Sequence, residues 1–196
     1  HTGDELAHYA RAAFDIQYEF PFGWGEIEGI HNRGDYDLSQ HEQFSGKALR
    51  YFDEQSRGKV LPSVIETAIG ASRTCMVCLV DAYREEEVDG EQRVVMRFHP
   101  RIAPLKAAIL PLVKRDNMPD VARKITTDLR PHFPVFYDEG GAIGRRYRRM
   151  DEVGTPFCLT VDSDTLEDQT VTVRERDTME QERVPIAELR THLEGR

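Results

Sequence analysis

Residues Gly144 to Gln181 constrain the fold of this chain more than any other stretch. GRRYRRMDEV carries the charge and spacing of a helix, GTP stops it, FCLTV is a short apolar strand, and TVTVRER alternates apolar and polar residues as a half-buried strand does. A helix that ends in a Gly-x-Pro turn and feeds neighbouring strands belongs to a layered α/β arrangement. Arg145, Arg146, Arg148 and Arg149 stand at i, i+1, i+3 and i+4 and cover more than half of the helix circumference. They cannot share one face, so some point away from a core, toward a polyanion or toward acidic neighbours.

The residues before and after this stretch extend the pattern. Ala107 to Val113 reads as a strand, Pro119 to Leu129 as a helix with Val121, Ile125 and Leu129 on one side, Pro134 to Tyr137 as a strand, and Ile186 to Leu193 as a closing helix. Strands separated by helices imply a mixed sheet with parallel portions and helices on both faces.

The first half has a different rhythm. Asp4 is expected to cap a helix over Glu5 to Ala13. Phe14, Ile16, Tyr18 and Phe20 then alternate with Asp15, Gln17 and Glu19, which is a strand, and Gly25 to His31 continues as its partner, with Glu26 and Glu28 pointing the same way. A short helix around Leu38 to Phe44, strands at Leu49 to Phe52 and Val60 to Glu66, a break at Thr67 to Gly70, and a helix from Arg73 to Tyr83 follow. Charge separates the halves: through Gln92 there are 18 acidic against 8 basic residues, and beyond it 17 against 18. The seam is REEEVDGEQR, an exposed connector or hairpin.

With 196 residues, 39% of them hydrophobic, the chain can build one large or two small cores. No apolar run approaches the roughly 20 residues that span a bilayer, so no membrane partner and a cytoplasmic location are expected. The opening at His1, inside an apparent helical pattern, suggests a fragment. Cys75, Cys78 and Cys158 are too few for a disulfide framework. Cys75-x-x-Cys78 lacks the further ligands of a closed zinc site, so no metal site is expected and the two thiols read as small hydrophobes on a buried helix.

The elements G-R-R-Y at Gly144, D-x-x-G-x-P at Asp151 and V-x-x-R-x-R-D at Val171, in this order, resemble the anticodon-binding domain of the glycyl, threonyl, prolyl and histidyl tRNA synthetases. FPFGWGEIEGIHNRGDYDL, SGKALRYFDE and IETAIGASR are similar to the bacterial-type glycyl enzyme in particular, so the resemblance to class II glycyl-tRNA synthetases covers essentially the whole chain. It implies that residues 1–92 are the C-terminal part of a catalytic core with a partial antiparallel sheet and the third class-defining motif. Residues 93–196 are then an α/β anticodon-binding domain with a mixed sheet flanked by helices.

By the same resemblance Glu66 lies at a strand end beside the amino-acid pocket and Arg73 contacts the nucleotide. A carboxylate suits the glycine ammonium, and a planar guanidinium suits a purine and its phosphates. Glu26 and Glu28 read equally as substrate ligands and as a polar sheet face. Two positions depart from the family pattern, Ala68 where it has serine and Ser72 where it has aspartate. Arg146, Arg149, Arg174 and Arg176 are the expected contacts to the tRNA backbone, with Asp151 and Glu152 as acceptors for cytosine amino groups. Equally, Arg145 or Arg176 could pair with Asp151 or Asp177 to fix the fold.

The implied parent is a homodimer that uses ATP with Mg2+ to join glycine to tRNA(Gly). The first two class-defining motifs, including the arginine that grips the α-phosphate, are not in these 196 residues, so the fragment alone is expected to be inactive and to hold no tightly bound cofactor. A second reading stays open: a non-catalytic relative that keeps the synthetase architecture for binding, as the accessory subunit of mitochondrial DNA polymerase does.

Overall fold

The computed structural model describes residues 6–88 and 90–196. The chain forms two compact units, His1–Val77 and Cys78–Arg196. In the first, β1 (Ala12–Phe20), β2 (Gly23–Gly34) and β5 (Val64–Ile69) make an antiparallel sheet in the order β1-β2-β5. Between them lie α1 (Tyr36–Ser45) and a hairpin of β3 (Tyr51–Asp53) with β4 (Gly58–Val60). Helix α2 (Ala71–Ala82) follows Gly70 and runs across the division between the units.

Two expectations about this unit change. The start of the helix over Glu5 to Ala13 lies outside the described residues, and residues 6–11 are turns and bends. Ala12 and Ala13 are already in β1, held by pairing with Asn32 and His31. Sheet pairing outweighs a helical apolar spacing that is only two turns long. Of the strand face at Phe14, Ile16, Tyr18 and Phe20 only Phe20 is buried, while Phe14 is 68% exposed. The expected break at Thr67 is absent, because β5 stays paired with β2 through Ile69; Glu66 therefore sits inside the strand, opposite His31.

The second unit opens with a hairpin, β6 (Tyr83–Val88) and β7 (Glu91–Met96), which is the charged seam of the sequence. Then come β8 (Ala107–Pro111), α3 (Met118–Leu129), β9 (Val135–Tyr137), α4 (Ile143–Val153), β10 (Phe157–Val161), α5 (Ser163–Asp168), β11 (Thr170–Glu175), β12 (Gln181–Pro185) and, after a 3-10 turn, α6 (Leu189–Glu194). The five strands order as β12-β11-β10-β8-β9, with β8 parallel to β9 and β10, and β11 antiparallel to both its neighbours.

Strand alternation divides the core. Ala107, Ile109, Phe157, Leu159, Val171 and Val173 turn to the face covered by Ala122, Ile125 and Leu129 of α3 and by Leu189 and Leu193 of α6. Ala108, Leu110 and Cys158 turn to the other face, under Met150, Ile143 and Tyr147 of α4. Burial pushes the Cys158 thiol up to about 12, so it acts as a core hydrophobe and not as a thiolate.

α5 and β12 have no counterpart among the elements expected from the sequence. The signal for α5 is Asp162, whose carboxylate accepts from the Thr165 backbone N–H while Thr165 Oγ1 accepts from the Asp162 N–H, a capping box three residues apart. β12 is mostly polar and exposed, so it carries little apolar pattern to detect.

α4 ends at Gly154, with φ +85° and bonds from Gly154 N–H and Thr155 N–H back to Asp151 and Met150 carbonyls. A Cβ there would come within 2.4 Å of Phe98 Cδ2 and 2.8 Å of the Met96 carbonyl. Gly154→Ala should therefore destabilise the fold by about 1–3 kcal/mol. Gly144→Ala, in the first turn of α4 with open space around its Cα, should be neutral or stabilise by up to about 1 kcal/mol. Urea unfolding of both variants checks the pair, and equal destabilisation would contradict it.

Candidate substrate residues and RNA-facing helix

In the first unit Glu66 is the residue around which charge gathers. Its Oε2 accepts from Arg33 Nη1 at 2.6 Å, and the same guanidinium forks onto both carboxylate oxygens of Asp37 at 2.6 and 2.8 Å. His31 Nδ1, buried without a hydrogen-bond partner, lies 4.0 Å from Glu66 Oε2. Arg33 also stacks over the Tyr9 ring at 4.1 Å. The Arg33 guanidinium holds Asp37 below the usual carboxylate range. Arg33 is not among the site residues expected from the sequence. Its signal is Arg33 and Asp37 at i, i+4, a spacing that says nothing of the long-range bond to Glu66.

Glu26 and Glu28 do not keep the common direction expected of them. A register shift pairs Glu28 with Ile16 but Glu26 with Gln17, so a β-bulge puts the two carboxylates out of phase. Glu26 stays on the side of Glu66: a Cβ on Gly29 would lie 2.8 Å from the His31 ring and 3.7 Å from Glu26 Oε1. Glu28 pairs between Ile16 and Ile69 on the opposite face. Arg73, exposed at the start of α2, donates from Nη1 to the Glu26 backbone carbonyl. Glu66 and Glu26 thus share one face, bare at Gly29, with Arg73 tethered at its far end.

α2 does not bury its thiols. Cys75 is exposed and Cys78 half-buried, and only Ala82 of that helix is fully buried. Among the described residues no three His, Cys, Asp or Glu side chains are grouped as a metal site.

The arginines of the second unit fall into two classes. Arg146 points inward at 2% exposure, and its guanidinium donates to the carbonyls of Pro111, Leu112 and Asp138, gathering the C-terminal ends of β8 and β9. Burial pushes its pKa down, although from a value so high that it stays charged. Arg174 on β11 bonds both oxygens of Asp151 at 3.0 and 3.3 Å and lies over the Tyr147 ring. Arg93 on β7 meets the same Asp151 at 3.0 Å, Glu86 at 2.9 Å and the Arg176 carbonyl at 2.6 Å. Arg176 in turn donates to the Gly154 and Phe98 carbonyls and to Asp177.

Four expected tRNA contacts, Arg146, Asp151, Arg174 and Arg176, are therefore inside the fold with their charged groups engaged. The reason is the cover on the second sheet face: strand period puts Arg174 opposite Val171 and Val173, and that side is roofed by α4 and the β6–β7 hairpin instead of facing water. The fold-fixing alternative, Arg176 paired with Asp177, is the arrangement found. Arg149 is half-exposed but tied to Asp138 and the Gly140 carbonyl. The side chains of Arg145, Arg148 and Glu152 make no hydrogen bond or ion pair among the described residues. They lie at i, i+3 and i+7 along the outer face of α4.

Residues 106–196 match the family model described as "Anticodon binding domain". Along nearly its whole length the chain is homologous to glycine–tRNA ligases. The enzyme of Borrelia hermsii is 56% identical over 98% of the chain and 44% of the relative, that of Caldanaerobacter subterraneus 54% over 99% and 42%, and that of Treponema denticola 52% over 96% and 43%. The chain thus spans less than half the length of these curated relatives.

Asp151→Ala should leave two guanidinium groups buried without their carboxylate and lower the unfolding free energy by about 3–5 kcal/mol; a loss under about 1 kcal/mol in urea would contradict this. Asp177 offers a pH test. The Arg176 guanidinium holds its carboxyl below the usual range, so its contribution is full above the unfolded aspartate value of about 3.9 and vanishes as pH falls through the lower folded value. Asp177→Asn should accordingly lower the melting temperature at pH 7, with the difference from the parent chain closing as the pH falls below about 3.9.

Proposed function

We propose that this chain is part of a glycine–tRNA ligase, in which residues 93–196 bind the anticodon arm of tRNA(Gly) and residues 1–92 supply one wall of the glycine and ATP pocket. The homology over nearly the full chain carries this reading, and the free stripe Arg145, Arg148 and Glu152 on α4 supports it. Arg145 and Arg148 hold phosphates, with Arg149 assisting if it releases Asp138. Glu152 accepts from the amino group of a cytosine, the base at the second and third positions of glycine anticodons. The buried Arg146, Asp151, Arg174 and Arg176 keep α4 in place and do not touch RNA.

In the other half, Glu66 and Glu26 receive the glycine ammonium on the face bare at Gly29, and Arg73 meets the purine or phosphates of ATP. Glu28, on the opposite sheet face, is a surface residue of the sheet. Activation of glycine needs stabilisation of charge on the α-phosphate, and these 196 residues hold under half of the relatives' length. The chain alone binds and does not catalyse; the longer cytoplasmic parent, with ATP and Mg2+, carries the reaction, as a homodimer.

Binding of a tRNA(Gly) anticodon stem-loop tests the first half. Removing one cation–phosphate pair should lower the slope of log K against log salt by about 0.7–0.9, so Arg145→Ala with Arg148→Ala should flatten the salt dependence and weaken all stem-loops alike. Glu152→Ala should instead relax discrimination at one anticodon position by about 1–3 kcal/mol with the salt slope kept. Equal affinity for stem-loops that differ at the second and third positions, unchanged in both variants, would contradict the assignment.

A further inference from the structure

At the N-terminal ends of β8 and β9, opposite the ends that Arg146 gathers, the second unit holds a cavity of about 600 Å³. Its walls come from the turn after β7 with His99 and Arg101, from Lys106, from Phe133 and Pro134 before β9, and from Leu193 at the end of α6. The lining is largely apolar, and the volume falls in the range of about 300–1,000 Å³ typical of small-molecule sites.

Lys106 is the buried charge of this wall. It is 8% exposed, its Nζ donates to the Arg196 carbonyl at 2.7 Å, and it lies 5.5 Å from the centre of the Phe157 ring. That carbonyl takes one of its three N–H donors, and among the described residues the ammonium makes no ion pair. A buried cation without an anion is costly, and burial pushes the Lys106 pKa down. The acidic neighbour is already engaged: Glu194 is held by Arg190 at 2.8 Å, while Arg196 is turned to Glu182 at 3.0 Å. The Arg101 guanidinium is exposed and has no partner among the described residues. Its backbone N–H donates to His99 Nδ1 at 3.2 Å, which leaves Nε2 as the donor of the neutral ring. The unpaired charge of the wall is therefore positive, with Lys106 inside and Arg101 exposed.

We propose that this cavity binds a small organic acid, its carboxylate on Lys106 and Arg101 and its aromatic or aliphatic body against Phe133 and Pro134. A guanidinium forks onto both oxygens of a carboxylate, and an ammonium adds a point charge. Phe133 and Pro134 offer apolar surface to the rest of the molecule. An inorganic anion would meet the charge and leave that surface wet, and an uncharged ring would do the reverse. None of these residues lies on α4, so the site does not depend on the RNA reading of that helix.

The test is an NMR titration of the isotope-labelled 196-residue chain with phenylacetate, phenylacetamide, acetate and inorganic phosphate, following the Lys106 side-chain and Phe133 ring signals. Phenylacetate should shift both and bind about tenfold more tightly than each of the other three. Its saturation should also raise the pH at which the Lys106 amine loses its proton. Lys106→Met, of similar length without the charge, should abolish the preference for phenylacetate over phenylacetamide. Arg101→Gln, at an exposed position that leaves the core untouched, should weaken phenylacetate about fivefold and phenylacetamide not at all. Absence of shifts at Lys106 and Phe133 overturns the proposal. So does equal binding of phenylacetamide, which reduces the cavity to an apolar crevice, or of acetate or phosphate, which reduces it to a patch of positive charge. A phenylacetate affinity unchanged in Arg101→Gln overturns it as well.

Discussion

The second unit depends on one carboxylate. Asp151, with no exposed surface, accepts from Arg93 on the hairpin and from Arg174 on β11, and so fastens the helix that carries it to two separate parts of the fold. Two buried cations around one buried anion are tolerable only because every partner is hydrogen-bonded, Arg93 also to Glu86 and a backbone carbonyl, and Arg174 also against the Tyr147 ring. Arg176 continues the arrangement through the carbonyls of Gly154 and Phe98, tying the C-terminus of α4 to the chain after β7. The inner face of α4 is thereby fixed by charge as well as by Met150 and Ile143. Its outer face, with Arg145, Arg148 and Glu152, is left open to a partner.

A similar arrangement holds in the first unit, at lower burial. Arg33 divides its donors between Asp37 and Glu66 and lends its plane to Tyr9, so a single guanidinium orients the proposed glycine-binding carboxylate. Gly29 matters here for the side chain it lacks: a methyl group would collide with the His31 ring and close the face between Glu66 and Glu26. The bulge in β2 is what turns Glu26 toward that face and Glu28 away from it.

Much of the fold was legible in residue order and period. The β10 strand, the helix before it and the division of charge at the seam follow from apolar runs, a Gly-x-Pro stop and acidic clustering. Burial was less legible, because period tells which residues share a face and not what covers it. Val171 and Val173 correctly mark one side of β11, yet the side opposite is also roofed, so Arg174 reads as solvent-facing when it is internal. On α4 the inward position of Arg146 could have been read from its spacing with Ile143 and Met150, at i+3 and i+4. Phe14 and Ile16 show the converse, as apolar residues on one strand face that this chain leaves exposed. The tie between Arg33 and Glu66 spans 33 residues and has no local signature at all.

The claim that binds these observations together is that arginines bonded within the fold hold α4 while Arg145 and Arg148, whose side chains have no partner among the described residues, meet RNA. Arginine side-chain Nε resonances, followed during titration with the anticodon stem-loop, test it most directly. The account predicts that the signals of Arg145 and Arg148 move while those of Arg93, Arg146, Arg174 and Arg176 stay in place. Movement of the second group with the first unchanged would contradict it.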